Sequence, residues 1–233
     1  MKGIVSSRLE TQCLSMVNKN YYYQKQQEML EDIRKLPKKP RLLLHVCCGP
    51  CACYPLTILE QYFDVTIMYN NSNIYPASEY EHRIGELKKL LEFYKRDHGY
   101  QIDLIEPKYD NETYNLFLEP YKDVPEGQIR CFTCYEKRMD EAFKYADENG
   151  FDYFTTVMSI SRYKNATKLN EIGEKLQKKY KHTKYLYADF KKQNGEIIGK
   201  QIRAKYDLYD QQYCGCKYSY EDYKRRLKEN GGA

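Results

Sequence analysis

Leu42-Leu43-Leu44-His45-Val46-Cys47-Cys48-Gly49-Pro50-Cys51-Ala52-Cys53 decides the reading of this chain. The apolar run 42–46 has the length and branching of a buried strand. Gly49 and Pro50 stop it, which predicts that the thiols sit in a loop just past its C-terminal end. In open α/β sheets, ligands bind at that end of the strands.

Working outward from this stretch, strands and helices alternate. Tyr22–Leu36 is a polar helix with Met29, Ile33 and Leu36 at helical spacing, and Tyr54–Tyr62 is a second helix. Phe63–Tyr69 reads as a strand that exits into the amide-rich Asn70-Asn71-Ser72-Asn73-Ile74-Tyr75-Pro76. Ser78 and Glu81 have the spacing of a capping box before a helix whose inward stripe is Tyr80, Ile84, Leu87, Leu91 and Tyr94. Gln101–Pro107 is a short strand, Asp110–Leu118 a helix, and Arg130–Asn149 a longer helix stopped by Asn149-Gly150. Tyr153–Ile160 is the fourth strand, Ala166–Tyr180 a helix, Lys184–Phe190 the fifth strand and Ile197–Tyr206 a helix. A charged helical tail follows Cys216. This order predicts a three-layer, Rossmann-like α/β fold with a mostly parallel sheet and helices on both faces. The expected organisation is an N-terminal polar helical extension over 1–40, one α/β catalytic domain over 41–220, and a charged tail over 221–233.

Composition narrows the function. No apolar run reaches the roughly 18–20 residues of a membrane span. Met1 to Arg41 contains no signal-peptide apolar core, so the expected compartment is the cytoplasm and no membrane partner is expected. Nine cysteines in that setting point to reduced thiols, metal ligation or catalysis rather than a disulfide framework. The net charge of +5 permits an anionic partner without demanding one. Tyr is abundant, at 26 residues with no Trp; such rings stack on nucleobases but also fill strands and cores.

The cysteines fall into three groups. Cys47, Cys48, Cys51 and Cys53 cluster around the Gly-Pro turn; the bland alternative is a cysteine-rich buried strand end. Cys131 and Cys134 open a helix three residues apart, on one face. The helix N-terminus and Arg130, Lys137 and Arg138 favour thiolates there. A structural zinc half-site or an isolated redox pair would look the same. Cys214-Gly215-Cys216 can close a strained, easily reduced disulfide, or add two metal ligands. Zinc and iron–sulfur clusters each take four thiolates, so eight convergent thiols leave sulfur for a second metal or a redox pair. His45 lies within the first strand, where a packed core role is the plain reading. Cys13 stands alone and reads as an ordinary thiol.

These segments resemble the QueH family of epoxyqueuosine reductases. The resemblance is carried by Leu44–Cys51, Asn71–Pro76, Arg130–Arg138, Thr155–Ser161, Asp189–Lys192 and Tyr213–Ser219, in order over roughly residues 20 to 220. It implies a HUP-type version of the predicted fold. It also implies two-electron deoxygenation of an epoxide on the wobble base of tRNA, giving queuosine. Carried over by motif, Cys47, Cys48, Cys131 and Cys134 match the ligands of a [4Fe-4S] cluster. Cys214 and Cys216 match a redox-active pair. Cys51 matches the position of a second, mononuclear metal, iron or zinc, where some members carry a carboxylate. Cys53 and Cys13 match no assigned role. The tRNA carrying epoxyqueuosine that the resemblance implies needs cationic and stacking contacts. Arg162, Lys164, Lys191 and Lys192 lie in predicted strand-end loops on the rim of the cysteines, where solvated loop charge is the plain alternative. Tyr163 and Tyr213 either stack on the base or pack in the core or surface. Asn73, Arg130, Ser159 and Ser161, from the segments quoted above, complete the substrate-binding candidates. Two other classes compete. An ATP-dependent tRNA sulfur-transfer enzyme needs a Gly-rich phosphate loop after the first strand, where this chain has Cys-Cys-Gly-Pro-Cys. A zinc-binding structural RNA module would use the same thiols without iron or sulfide.

Overall fold

A computed structural model describes residues 20–231; Cys13 lies outside the described residues. The described chain runs α1 (Tyr21–Arg34), β1 (Arg41–His45), α2 (Gly49–Leu59), β2 (Asp64–Met68), α3 (Ala77–His98), β3 (Asp103–Ile105) and α4 (Asn111–Leu118). It continues through α5 (Ile129–Glu148), β4 (Tyr153–Thr156), α6 (Ala166–Gln177), β5 (Lys184–Tyr185), α7 (Gly195–Lys205) and α8 (Lys217–Glu229). Short 3₁₀ turns cover Glu119–Tyr121 and Val157–Ile160. Among the described residues, no helix is long and apolar enough to cross a membrane.

The five strands form one parallel sheet in the order β3-β2-β1-β4-β5. Leu42, Leu43 and Leu44 of β1 are fully buried because the strand is central, paired to Val65–Ile67 on one side and Tyr153–Thr155 on the other. The chain winds outward from β1 to β3 and then returns to the far side of β1 as β4. With right-handed crossovers, that reversal puts helices on opposite faces. Thus α2 packs on α3 and α7, while α5 packs on α6, β1 and β4. The gap between the C-terminal ends of β1 and β4 is the topological switch point, where ligand sites form in such sheets.

Several local expectations are corrected. The second helix begins at Gly49 rather than Tyr54, so Cys51 and Cys53 are helical and only Cys47 and Cys48 lie in the connection. Pro50 is the second helical residue, where its missing N–H costs no hydrogen bond, so Gly-Pro starts the helix. The Ser78/Glu81 capping box is not used: Pro76 occupies the cap position, without a side-chain cap, and α3 starts at Ala77. On α3 the buried stripe includes Arg83 and Leu90 instead of Leu91. On α1 the buried face is Gln26, Leu30 and Ile33, with Leu36 exposed. The fourth strand stops at Thr156, whose hydroxyl accepts the Met158 N–H at 3.1 Å and turns the chain into a 3₁₀ helix. That early stop also shortens the fifth strand to two residues. Leu186 N–H still reaches Phe154 O at 2.8 Å, but beyond it β4 offers no further ladder.

Gly49 fits the first turn of α2 tightly against α3. A Cβ there would lie 2.9 Å from the Glu86 carbonyl oxygen. Gly49→Ala is expected to cost about 1–3 kcal/mol by overpacking. A thermal melt should show Tm lowered by about 2–4 °C per kcal/mol. An unchanged Tm would mean that α2 and α3 do not pack this closely.

Candidate metal centre

The sulfurs of Cys47, Cys48 and Cys51 all lie within 4.8 Å of one another, and all three residues are buried. The Cys47 and Cys48 sulfurs are 3.9 Å apart. Two adjacent cysteines can face one point because Cys48 is extended (φ −174°, ψ 160°) where β1 gives way to α2. Cys51 then joins from the first turn of α2. Cys53 departs from the group: its thiol donates to the Gly49 carbonyl at 3.4 Å, while the Tyr94 hydroxyl donates to the Cys53 carbonyl at 2.6 Å. Burial pushes the Cys53 thiol up to about 12, and its place is structural.

Cys131 and Cys134 are buried at the start of α5 but do not join a three-ligand group at that distance. The Gly127 N–H donates to the Cys131 sulfur at 3.2 Å, and the Tyr114 hydroxyl reaches the Cys134 sulfur at 3.4 Å. Burial pushes Cys131 up to about 11, against that N–H, with the nearby Cys214 and Cys134 charges adding to the rise. Cys214 and Cys216 are half-buried free thiols, so the expected disulfide is not formed. The Cys216 thiol is instead turned toward Ser219 Oγ, 3.4 Å away at the head of α8. Burial and then the Cys214 charge push Cys216 up to about 12.

The electrostatics join these groups. Arg83, Arg138 and Lys164 are all buried among the thiols. Arg83 has a carboxylate partner, Glu79 at 2.7 Å, and donates to the Cys214 and Tyr213 carbonyls at 3.0 Å each. Arg138 donates to Asn71 Oδ1 at 3.3 Å and the Cys134 carbonyl at 3.4 Å; the groups that act on its charge are Cys134, Tyr114, Cys47 and Cys214. Burial disfavours the Lys164 ammonium, but the Cys214, Cys47 and Cys51 thiols and Tyr135 outweigh it and hold it above its ordinary value. In return, hydrogen bonds from Cys48 and Cys51, then Lys164 and Arg138, hold Cys47 well below the usual thiol range despite its burial. Burial and the neighbouring sulfurs push Cys48 well up, and the hydrogen bond with Cys47 pushes Cys51 up to about 12. Of the three thiols, Cys47 is therefore the one most disposed to ionise. His45 stays neutral: burial, then Arg138, lowers it to about 3. Its Nδ1 shares a 2.8 Å hydrogen bond with Thr156 Oγ1.

The residues proposed from sequence to bind substrate divide into distinct surroundings. Asn73 Oδ1 and Ser159 Oγ are buried atoms without a hydrogen-bond partner, as are His45 Nε2 and Tyr69 OH. Such atoms sit at the ends of β1, β2 and β4 with hydrogen-bonding capacity unspent. Arg130 is buried and donates to the Lys122 and Val124 carbonyls, with its guanidinium 4.5 Å from the Tyr218 ring centroid. Tyr213 is buried; its hydroxyl donates to the Tyr75 carbonyl at 2.7 Å. Arg162 is exposed and Ser161 half-buried. Lys164, read from sequence as a loop charge facing RNA, is turned inward to the sulfurs. Arg83 was missed because Arg in a helix reads as a solvated face. The signal was its spacing, three residues after Tyr80 and four before Leu87 on the buried stripe.

The family model for epoxyqueuosine reductase QueH matches residues 42–222. The chain belongs to the QueH family. An epoxyqueuosine reductase QueH of Streptococcus pyogenes serotype M1 is 37% identical over 193 residues, covering 83% of this chain and 75% of its own. One of Staphylococcus aureus strain Mu50 is 37% identical over 183 residues, covering 78% and 76%. Among solved structures, U34-tRNA thiolase NcsA from Methanococcus maripaludis with its [4Fe-4S] cluster aligns over 91% of this chain and 75% of its own, at TM-score 0.44 and 11% identity. The matched span of the QueH family contains all three thiol groups of the candidate centre.

If Cys47 is the thiolate of the group, metal-free protein at neutral pH should retain ultraviolet thiolate absorbance that Cys47→Ser removes and Cys53→Ser leaves. Lys164→Met takes away a stabilising cation, so the absorbance should then titrate at higher pH. Persistence of the full signal in Cys47→Ser would refute this charge arrangement.

Proposed function

We propose that this chain is an epoxyqueuosine reductase acting on the wobble nucleotide of tRNA, with a [4Fe-4S] cluster bound by its buried thiols. The carrying observation is the three-thiol group amid three buried cations, of which only Arg83 is paired with a carboxylate among the described residues. Buried cations need buried negative charge. A thiolate-ligated metal group supplies it, and a donor set of clustered cysteines favours iron–sulfur or zinc over harder metals.

Cys47 and Cys48, with Cys131 and Cys134 from α5, would hold the cluster. Cys51, in the same three-thiol group, would reach a second, mononuclear iron or zinc. The metal group supplies electron transfer and an electrophile for the epoxide oxygen. Asn73 Oδ1 and Ser159 Oγ, unpaired at the strand ends, would orient the substrate. Lys164 would place positive charge where the oxygen leaves. Cys214 and Cys216 are free thiols and would serve as the two-electron reserve. Their oxidation to a disulfide releases two electrons and two protons. The epoxide takes up both, its carbon–oxygen bonds break, and the products are the alkene and water. An external electron donor then restores the dithiol. The positive φ of Gly215 (+126°) leaves Cys214 and Cys216 on a bend that a residue with a Cβ would strain.

Anaerobically prepared protein should contain iron with matching acid-labile sulfide and convert epoxyqueuosine tRNA to queuosine tRNA. Cys48→Ser should lose the iron and the activity together. Zinc with no sulfide, persisting after cluster reconstitution, would overturn the reductase reading in favour of a structural RNA module. Replacing both Cys214 and Cys216 by Ser should abolish multiple turnover; retention of full turnover would remove the dithiol from the reaction.

A further inference from the structure

The segment Ser161–Asn165 after β4 carries one residue turned inward and two turned outward. Lys164 is 6% exposed and lies among the thiols, whereas Tyr163 beside it is 73% exposed. The Arg162 guanidinium sits 4.8 Å from the Tyr163 ring centroid, and its Nη2 donates to the Tyr163 hydroxyl at 2.8 Å. The backbone that separates these roles is fixed from below. Lys191 Nζ donates to the Ser159, Ser161 and Lys164 carbonyls at 3.0, 3.4 and 3.1 Å. Ser161 Oγ accepts the Tyr163 N–H at 3.3 Å, and the Lys164 N–H donates to the Ser161 carbonyl at 3.1 Å. An exposed ring on a mobile loop would lose conformational freedom on binding, at an entropic cost; this loop is already held by those hydrogen bonds.

We propose that Tyr163 and Arg162 form a preorganised platform that stacks a nucleobase and contacts a phosphate of the RNA nucleotide adjoining the reacting one. The proposal rests on the tRNA reading of the same site and gives Arg162 and Tyr163 a joint role in it. An aromatic face is indifferent to base identity, and a guanidinium beside it meets the backbone. The exposed ring pairs with a cation, Arg162, and its chain neighbours Ser161, Lys164 and Asn165 are polar, which suits an anionic polymer better than an apolar protein face. A single loop with Lys164 facing the thiols and Tyr163 facing solvent suits a polymer that sends one nucleotide inward and leaves its neighbour at the rim.

Binding of a fluorescent anticodon stem-loop RNA to the holoenzyme, read by anisotropy, tests this. Tyr163→Ala should raise Kd about tenfold. Tyr163→Phe, which keeps the ring, should stay within about twofold of the native protein. Arg162→Gln should lower the slope of log Kd against log salt by about 0.7, as for one lost phosphate contact on a single strand. On tRNA substrate, Tyr163→Ala should raise KM and leave kcat within about twofold, since the ring acts in binding rather than in the reaction. Native-like Kd in Tyr163→Ala, or equal losses in the Ala and Phe variants, would overturn the platform while leaving the reductase reading intact. A native holoenzyme that neither binds the RNA nor yields queuosine would overturn both.

Discussion

Burying three cations around one group of sulfurs is the constraint on which the rest of the structure depends. Arg83, Arg138 and Lys164 come from three separate elements, α3, α5 and the loop after β4, and all three are buried. An unpaired buried charge costs several kcal/mol even after relaxation. Glu79 answers Arg83; Arg138 is answered by sulfur and by hydrogen bonds to carbonyl and amide oxygens, and Lys164 by the thiols and Tyr135. The arrangement accounts for the amide-rich loop after β2. Asn71 donates to the Val46 carbonyl at 2.8 Å and accepts from Arg138, while Asn70 donates to the Arg138 carbonyl at 2.9 Å. These amides fasten the end of β1 to α5, which sets where Cys47 stands relative to Cys134.

The sheet delivers the parts. Reversal of strand order at β1 opens a gap that helices cannot fill, and the connections after β1, β2 and β4 all end there. The fourth contribution comes from the far end of the chain. Tyr75 N–H donates to the Gly215 carbonyl at 2.8 Å, and Arg83 holds the two carbonyls before it. The Cys214–Cys216 turn is thus docked through its own backbone groups.

The alternation of strands and helices was legible because the apolar runs of β1, β2 and β4 are short and bounded by turn residues. The three thiol groups were legible because cysteine is rare enough for spacing to carry meaning. What misled was local competition. Gly49-Pro50 reads as a stop, yet Pro at the second helical position begins α2. Lys184–Phe190 has strand composition throughout, but a strand needs a partner, and β4 turns away after Thr156. The abundance of tyrosine was uninformative for a physical reason. A buried Tyr needs one acceptor for its hydroxyl, and here backbone carbonyls supply it: Tyr94 to Cys53, Tyr109 to Ile74 and Tyr213 to Tyr75. Tyrosines of this kind are core residues that also tie loops down.

The same reasoning separates the two lysines that sequence placed together on the rim. Lys164 and Lys191 are both half or more buried and both belong to the connections after β4 and β5. Lys191 spends its three donors on three carbonyls and is a structural strut, and desolvation lowers its affinity for protons. Lys164 receives no such set of carbonyls; its charge is balanced by the thiols it faces. A cation compensated chiefly by sulfur is coupled to whatever charge the sulfur centre carries. Adding electrons there strengthens its hold, and removing them weakens it. Lys191 ties the same loop at three carbonyls, so the two lysines divide the work: one holds the backbone and the other faces the sulfur.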